Sequence, residues 1–340
     1  MDYNKYKIAV IATWFGKLPS YFYMWLKSAE QNKMIDFLIF SDQEINSHSE
    51  NIYYYKTTMK EELQRYSIKI NRTISIDDAY KFCDCRLFFG LFYEDFLKKY
   101  DFWGYCDIDL AFGDIRKFIT NEVLDIYDRI YQYGHLSLYR NNDKMKYIFE
   151  LPGSIYSLDE VFEGKAKTTI EEYFGVNRIC KINKIRCYTK IDYADLVPFY
   201  PKRLNLSIPR KNYMHQIFLW EDGRAYRLYY SEKQIKKEEL VYIHWQKRKP
   251  QLDSSIKYFY NKNKIIITPE KFVSDWNEEF TIENMDKLNP PLSDKEKKRL
   301  KKKYHRSQIG VFLRAEMCTK KIWIRQIKYR LLEKYRWKSI

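Results

Sequence analysis

The stretch Tyr100-Asp101-Phe102-Trp103-Gly104-Tyr105-Cys106-Asp107-Ile108-Asp109-Leu110-Ala111-Phe112-Gly113-Asp114-Ile115 decides how the chain is read. A short aromatic run of strand-forming residues ends in two carboxylates one residue apart, and apolar residues and a glycine follow at once. This is the pattern of a strand leaving a core for a polar edge. In an open α/β sheet ligands bind outside the carboxyl ends of the strands, which puts Asp107 and Asp109 at the mouth of a site. Side chains at i and i+2 of an extended segment share a face, and paired carboxylates suit a hard divalent cation that keeps open positions for a phosphate. The plainer reading is a loop in which an Asp caps the following helix, and for that role Asp114 is the better candidate.

The segments before this stretch give it a sheet to belong to. Lys7-Ile8-Ala9-Val10-Ile11-Ala12 is a continuous apolar run that suits a strand buried on both faces. It opens into the loop Thr13-Trp14-Phe15-Gly16-Lys17-Leu18-Pro19, a helix is expected over 20–32, and a second strand over 35–40 ends at Ser41-Asp42. Strand, helix, strand with polar loop ends is a parallel crossover. No G-x-G-x-x-G stands at its first turn, so the dinucleotide fingerprint is absent. A third strand is expected over 51–56. Apolar residues at 82, 85, 88, 89, 92, 96 and 97 predict one helix over 78–100, with Lys81, Asp84 and Arg86 near its start.

After the central stretch, 113–133 reads as helix and 134–140 as strand, with Asn141-Asn142-Asp143 as its turn. A short helix near 168–174 and strand-like pieces over 178–188 follow. Residues 214–230 form a hairpin with Asp222-Gly223 in the turn, 240–249 a strand breaking into basic residues, and 265–269 a last strand. Pro290-Pro291 marks the edge of the main domain, giving 1–290 as one unit and 291–340 as a helical, basic extension.

The formal charge of +16 first suggests a polyanionic partner. Its placement removes that argument for the main domain. Residues 293–340 hold 17 Lys and Arg against 4 Asp and Glu, whereas the preceding 292 residues hold 44 against 41. Six cysteines occur with no C-x-x-C pair and no His-Cys metal spacing, and read as reduced core thiols. The N-terminus shows no signal-peptide pattern, and no apolar run approaches the ~20 residues of a membrane span. The expected location is cytoplasmic, with a peripheral place on the inner face of the membrane if the tail binds there.

Taken as a set, Tyr80-Lys81-Phe82-Cys83-Asp84, the stretch from Tyr100 to Asp109, Phe112-Gly113-Asp114-Ile115-Arg116-Lys117-Phe118, Gly134-His135-Leu136-Ser137-Leu138-Tyr139-Arg140-Asn141 and Tyr242-Ile243-His244-Trp245-Gln246-Lys247-Arg248-Lys249 resemble nucleotide-sugar-dependent glycosyltransferases of the GT-A fold. More closely they resemble a family of bacterial proteins that occur with capsule and surface-polysaccharide synthesis genes. The resemblance runs over about residues 7–250. It implies a mostly parallel, Rossmann-like sheet flanked by helices, and transfer of a sugar from a nucleotide donor, by default a UDP-sugar, to a glycan or lipid-linked oligosaccharide. It implies that Asp107 and Asp109, with His244, hold Mn2+ or Mg2+, and that Asp107 also touches the donor. By the same mapping Thr13, Trp14, Phe15 and Asp42 line a nucleoside pocket, Asp84 and Arg86 approach the donor, and Lys247 and Arg248 grip the diphosphate. Asp159 and Glu160 fall where a catalytic base would stand in an inverting enzyme; acidic residues in a first helical turn are the plain alternative.

In the tail, Ile324, Ile327, Leu331 and Tyr335 make a narrow apolar stripe flanked by Arg325, Arg330, Lys334 and Arg336. An anionic membrane surface fits this pattern; a helix docked on its own domain, an RNA-binding arm and a partner-binding helix are the alternatives. A non-catalytic scaffold of the same fold and a nucleic-acid-binding protein are the competing functions. The latter calls for aromatic platforms among Lys and Arg in the main domain, and the near-neutral charge of residues 1–292 disfavours it, so no nucleic-acid partner is expected.

Overall fold

The computed structural model describes residues 5–207 and 209–336, the side chains of 333–336 excepted. Alternation organises its centre. In β1 (Ile8–Trp14), Ile8, Val10 and Ala12 enter one apolar core and Ala9 and Ile11 the other, so the strand is buried on both faces. The same holds for β2 (Asp36–Ser41), after helix α1 (Phe22–Glu30). β3 (Ile52–Lys56) follows, then helix α2 (Met59–Ile70), whose Thr58–Glu61 capping box closes its first turn. β4 (Phe102–Cys106) places Trp103 and Tyr105 in one core and Phe102 and Cys106 in the other. Strands β3, β2, β1 and β4 lie parallel in that spatial order, which is the arrangement that crossover connections produce.

β5 (Leu110–Phe112) leaves this sheet, while β6 (Arg129–Tyr133) and β7 (Leu136–Arg140) form a hairpin whose β7 runs antiparallel to β4; β8 (Cys187–Tyr188) closes the edge. β9 (Ala194–Asp195) is short. β10 (Gln216–Glu221), β11 (Arg224–Ser231) and β12 (Gln234–Leu240) make an antiparallel meander, and the Asp222-Gly223 turn has positive φ at both residues. β13 (Tyr242–His244) returns to pair with β5 and β9 as a three-stranded sheet; β14 (Gln251–Leu252), β15 (Lys264–Ile267) and β16 (Lys271–Val273) complete the meander's sheet. Helices Asp294–Arg314 and Met317–Arg336 form the C-terminal extension. The α/β class expected from the sequence, a parallel sheet flanked by helices with a helical extension, is the one observed.

Several expected elements differ. The helix over 78–100 is a 3-10 run at Lys81–Phe88 followed by two single-turn helices, Phe89–Phe92 and Glu94–Leu97. Residues 113–133 hold two short helices and then β6, whose backbone bulges between Ile130 and Tyr133 with Tyr131 at φ 64°. The helix near 168–174 is instead a series of turns, and the helix of this region is Val176–Ile182. All six cysteines are free as expected, but only Cys85, Cys106 and Cys180 are fully buried. Asp114 does cap the helix after β5, accepting from the backbone N–H of Lys117 at 3.2 Å.

At Gly104 of β4, opposite Leu138 of β7, there is space for no side chain at all. A Cβ on Gly104 would lie 2.3 Å from the Ser137 carbonyl oxygen and 2.4 Å from Leu138 Cδ2. Gly104→Ala is therefore expected to destabilise the fold by about 3 kcal/mol, at the upper end of overpacking costs. An unchanged urea midpoint for this variant contradicts the tight β4–β7 contact.

Candidate active site

Three parallel strands end at one edge, at Trp14, Ser41 and Cys106, and the polar residues that follow them meet there. After β4 the chain bends at Ile108-Asp109 and enters β5, so a bend, not an extended strand, turns Asp107 and Asp109 toward one place. β5 is pinned from behind by α1 and its end. Ser28 accepts from Phe112 N at 3.0 Å, and the Asn32 amide bonds Gly113 O and Ile115 N at 2.9 Å each. β13 pairs antiparallel with β5, setting His244 opposite Leu110, and parallel with β9, setting His244 opposite Asp195. Residues far apart in sequence are joined here by register.

The resulting cluster is compact. One ligand atom from each of Asp107, Asp109 and His244 lies within 4.8 Å of the others. His244 Nε2 is 3.3 Å from Asp109 Oδ1, and its Nδ1 is 2.9 Å from Asp195 Oδ1. Gln246 also donates to that Asp195 oxygen, at 2.6 Å. An ionised carboxylate only accepts, so Nδ1 carries a proton and Nε2 is the nitrogen turned to the cluster. Arg86 Nη2 grips Asp107 Oδ1 at 2.6 Å, while its Nη1 bonds Gly134 O at 3.1 Å. His135, on the β6–β7 turn, accepts the Asp107 N–H through its carbonyl, packs its ring 4.6 Å from that of His244, and bonds Tyr242 Oη through Nδ1 at 2.7 Å.

Burial sets the charges against one another. It tends to neutralise Asp107, but Arg86 first and then His244 outweigh it and hold the carboxyl below its ordinary range. Asp109 is raised, because burial and the like charge of Asp107 exceed the pull of His244. Burial opposes charge on His244 as well, yet Asp109 and Asp195 raise it well above its usual value. Asp195 is held low by its bond to that imidazole despite burial. Burial, with His244 beside it, pushes His135 down to about 3, so this second ring is neutral. Tyr21 feels the same pair of aspartates: burial first, then Asp109 and Asp107, raise its hydroxyl.

The chemistry of this donor set fits a divalent cation. Two part-exposed carboxylates and an imidazole nitrogen face one point, and the imidazole's other nitrogen is fixed by Asp195, the carboxylate–histidine pairing common behind metal ligands. Asp107, Asp109 and His244 would hold the ion. The sequence by itself assigns no role to Asp195 or His135. Asp195 sits in a two-residue strand with no periodic signal, and His135 was visible only as part of Gly134-His135-Leu136.

The other expected site residues divide. Thr13 is the next-to-last residue of β1 and pairs beside Phe40, and Gly16 N–H donates to both oxygens of Asp42 at 2.9 and 3.1 Å, so that loop and the end of β2 are indeed joined. Trp14 folds its indole N–H back on Gly16 O and Lys17 O, whereas Phe15 packs edge-on against Phe82 in the core. Asp84 is fully buried and bound by Lys81 Nζ, Thr168 N and Thr169 N, which assigns it to holding the 168–169 turns. Lys247 is exposed on the turn after His244. Arg248, expected at the diphosphate, is buried and donates to the carbonyls of Leu196, Val197, Tyr200, Arg203 and Trp245. Asp159 is exposed and paired with Arg72; Glu160 caps its own helix through Ser157 N and pairs with Arg325 of the last helix. Neither carboxylate makes a contact with the Asp107 cluster.

The family model that matches covers residues 10–275, most of the elements just described. The chain belongs to the DUF6625 family. This is a family of unknown function. No curated protein matches the DUF6625 chain. Among solved structures it is similar to galactosyltransferase LgtC in complex with donor and acceptor sugar analogs, at a TM-score of 0.34 and 10% identity over 54% of this chain and 74% of that one. An active-site mutant of LgtC aligns at a TM-score of 0.40 and 10% identity, over 84% of this chain and 98% of that one. Likeness at this level carries no chemistry across.

Arg248 separates a scaffold role from a ligand role. Replacing it with Met removes the buried donor that five backbone carbonyls share, and Arg248→Met is expected to lower stability by about 2–4 kcal/mol in urea denaturation. An unchanged midpoint would return Arg248 to the list of anion-binding candidates.

Proposed function

We propose that this DUF6625 protein is a metal-dependent glycosyltransferase of the GT-A type, which moves a sugar from a nucleotide-sugar, by default a UDP-sugar, to a glycan or lipid-linked oligosaccharide in bacterial surface-polysaccharide synthesis. One observation carries the reading: Asp107, Asp109 and His244 converge at the carboxyl end of a parallel sheet, with His244 turned by Asp195. The motif set that resembles such enzymes supports it, because the members of that set nearest the chemistry are those the fold brings together. A bound Mn2+ or Mg2+ would act as a Lewis acid on the departing nucleoside diphosphate.

The chain's own residues have distinct tasks in this reading. Asp107, kept ionised by Arg86, and Asp109 offer carboxylate oxygens, and Asp195 keeps His244 Nε2 facing them. Lys247, exposed beside them, offers a positive charge to the diphosphate as it leaves. The loop from Thr13 to Gly16, held by Asp42, borders the same sheet edge and is the candidate nucleoside contact. Asp159 and Glu160, occupied by Arg72 and Arg325, are not retained as the base.

The test is turnover. The full chain incubated with UDP-, GDP- and CMP-sugars and Mn2+ is expected to release nucleotide from one of the three. Asp109→Asn is expected to reduce that rate by more than about a hundredfold, the consequence of losing several kcal/mol of Lewis-acid stabilisation. Equal rates with and without chelator, or an Asp109→Asn protein as fast as the parent, would exclude the proposed chemistry.

A further inference from the structure

The C-terminal extension has two faces, and only one of them is used by the fold. In Met317–Arg336, Ile322 is buried, Arg325 donates to Ile155 O and pairs with Glu160, Gln326 donates to Tyr156 Oη at 2.7 Å, and Arg178 lies over the Tyr329 ring. These positions follow one another by three and four residues and form a single docked face. Directly opposite stand Met317, Ile324, Ile327 and Leu331, each more than half exposed. Lys320, Lys321 and Lys328 flank them.

The preceding helix, Asp294–Arg314, repeats the arrangement. It touches the domain where Tyr304 meets Phe199, and Phe312 stacks on Trp323 of the last helix. Away from Tyr304 it exposes Ile309 and Leu313, beside Lys302 and Arg306. Both helices therefore present apolar residues among cations on faces that the domain leaves uncovered. Of the charged residues in 293–340, Lys and Arg number 17 and Asp and Glu 4, so the complementary surface is anionic as well as apolar. No helix among the described residues is long and apolar enough to cross a membrane, which limits the contact to lying on a surface.

We propose that the uncovered faces of these two helices dock on the surface of an anionic lipid bilayer, with Ile309, Leu313, Met317, Ile324, Ile327 and Leu331 entering the headgroup boundary and the lysines meeting lipid phosphates. A membrane fits better than a folded partner because apolar residues and lysines are interleaved along both helices, the pattern of snorkelling side chains at an interface. The docked face gives the contact a consequence. It holds residues 155–178, and the same segment bonds Asp84 through Thr168 and Thr169. The last helix thus braces the 155–178 segment, which in turn bonds the 3-10 run that carries Asp84 and Arg86. This inference does not depend on the reaction proposed above.

The experiment is co-sedimentation of the full chain with vesicles of phosphatidylcholine alone and of phosphatidylcholine with phosphatidylglycerol. Binding is expected only to the anionic vesicles and is expected to weaken at high salt. Lys321→Gln combined with Lys328→Gln should reduce partitioning by roughly tenfold or more at low salt, from ~1 kcal/mol per basic residue near the surface. Ile324→Asp combined with Leu331→Asp should abolish it while leaving the thermal midpoint unchanged, since both positions are exposed. No binding to anionic vesicles overturns the proposal, as does undiminished binding by the Asp variant. Light scattering that shows a dimer converted to monomer by the Asp variant would assign the face to a second copy, and RNA binding lost in that variant would assign it to a nucleic acid; either result overturns the membrane assignment.

Discussion

His244 is held between two carboxylates, and the arrangement of the site depends on that contact. Its Nδ1 hydrogen-bonds Asp195 and its Nε2 lies 3.3 Å from Asp109, so the ring cannot rotate without losing the Asp195 bond and turning Nε2 away from the cluster. Such a contact requires β5, β13 and β9 to lie side by side in one register. A one-residue slip in that small sheet would turn His244 to the opposite face. The surrounding architecture prevents the slip: α1 pins β5 through Ser28 and Asn32, the Trp220 indole donates to Phe112 O at 2.8 Å, and Arg248 ties the turn after β13 to the 196–203 segment.

The same cluster explains why so many ionisable groups lie together without an apolar core's usual penalty. Arg86 faces Asp107, and His244 stands between Asp109 and Asp195, so each carboxylate has a neighbour of opposite sign although Asp107 and Asp109 set like charges together. Asp109 is the weak link, raised because burial and the like charge of Asp107 exceed the pull of His244. A further positive charge at this point would relieve that imbalance. The donor set thus has an electrostatic reason, besides its ligand chemistry, to accept a cation.

Much of this was legible in the sequence because it rests on short-range pattern. Strands buried on both faces announce themselves as continuous apolar runs, as in Ile8–Trp14, and the carboxylates after an aromatic strand mark a sheet edge. What was not legible rests on long-range register or on local geometry that copies a helix. Asp195 lies in a two-residue strand whose importance comes from a partner 49 positions away. Arg248 resembles a phosphate ligand by its position after His244, but here backbone carbonyls take the hydrogen bonds of both its terminal nitrogens. Apolar residues between 113 and 133 recur at helical spacing, yet Tyr127 leaves the second short helix in an extended conformation and Tyr131 adopts positive φ, and the chain turns into a bulged strand. In the tail, the stripe at 324, 327 and 331 was legible, but the docked face centred on Ile322 was not, and Lys334, Tyr335 and Arg336 of the expected pattern lie outside the described side chains.

In the proposed function Asp107, Asp109 and His244 form a metal centre whose imidazole is oriented by Asp195. Titration of Mn2+ followed by electron paramagnetic resonance tests it on the parent, Asp109→Ala and Asp195→Asn proteins, each shown to be folded. The account requires one tight site in the parent, its loss in Asp109→Ala, and affinity weakened about 10–100-fold in Asp195→Asn, the range for removing the partner behind a ligating histidine. Equal Mn2+ affinity in all three proteins would contradict it.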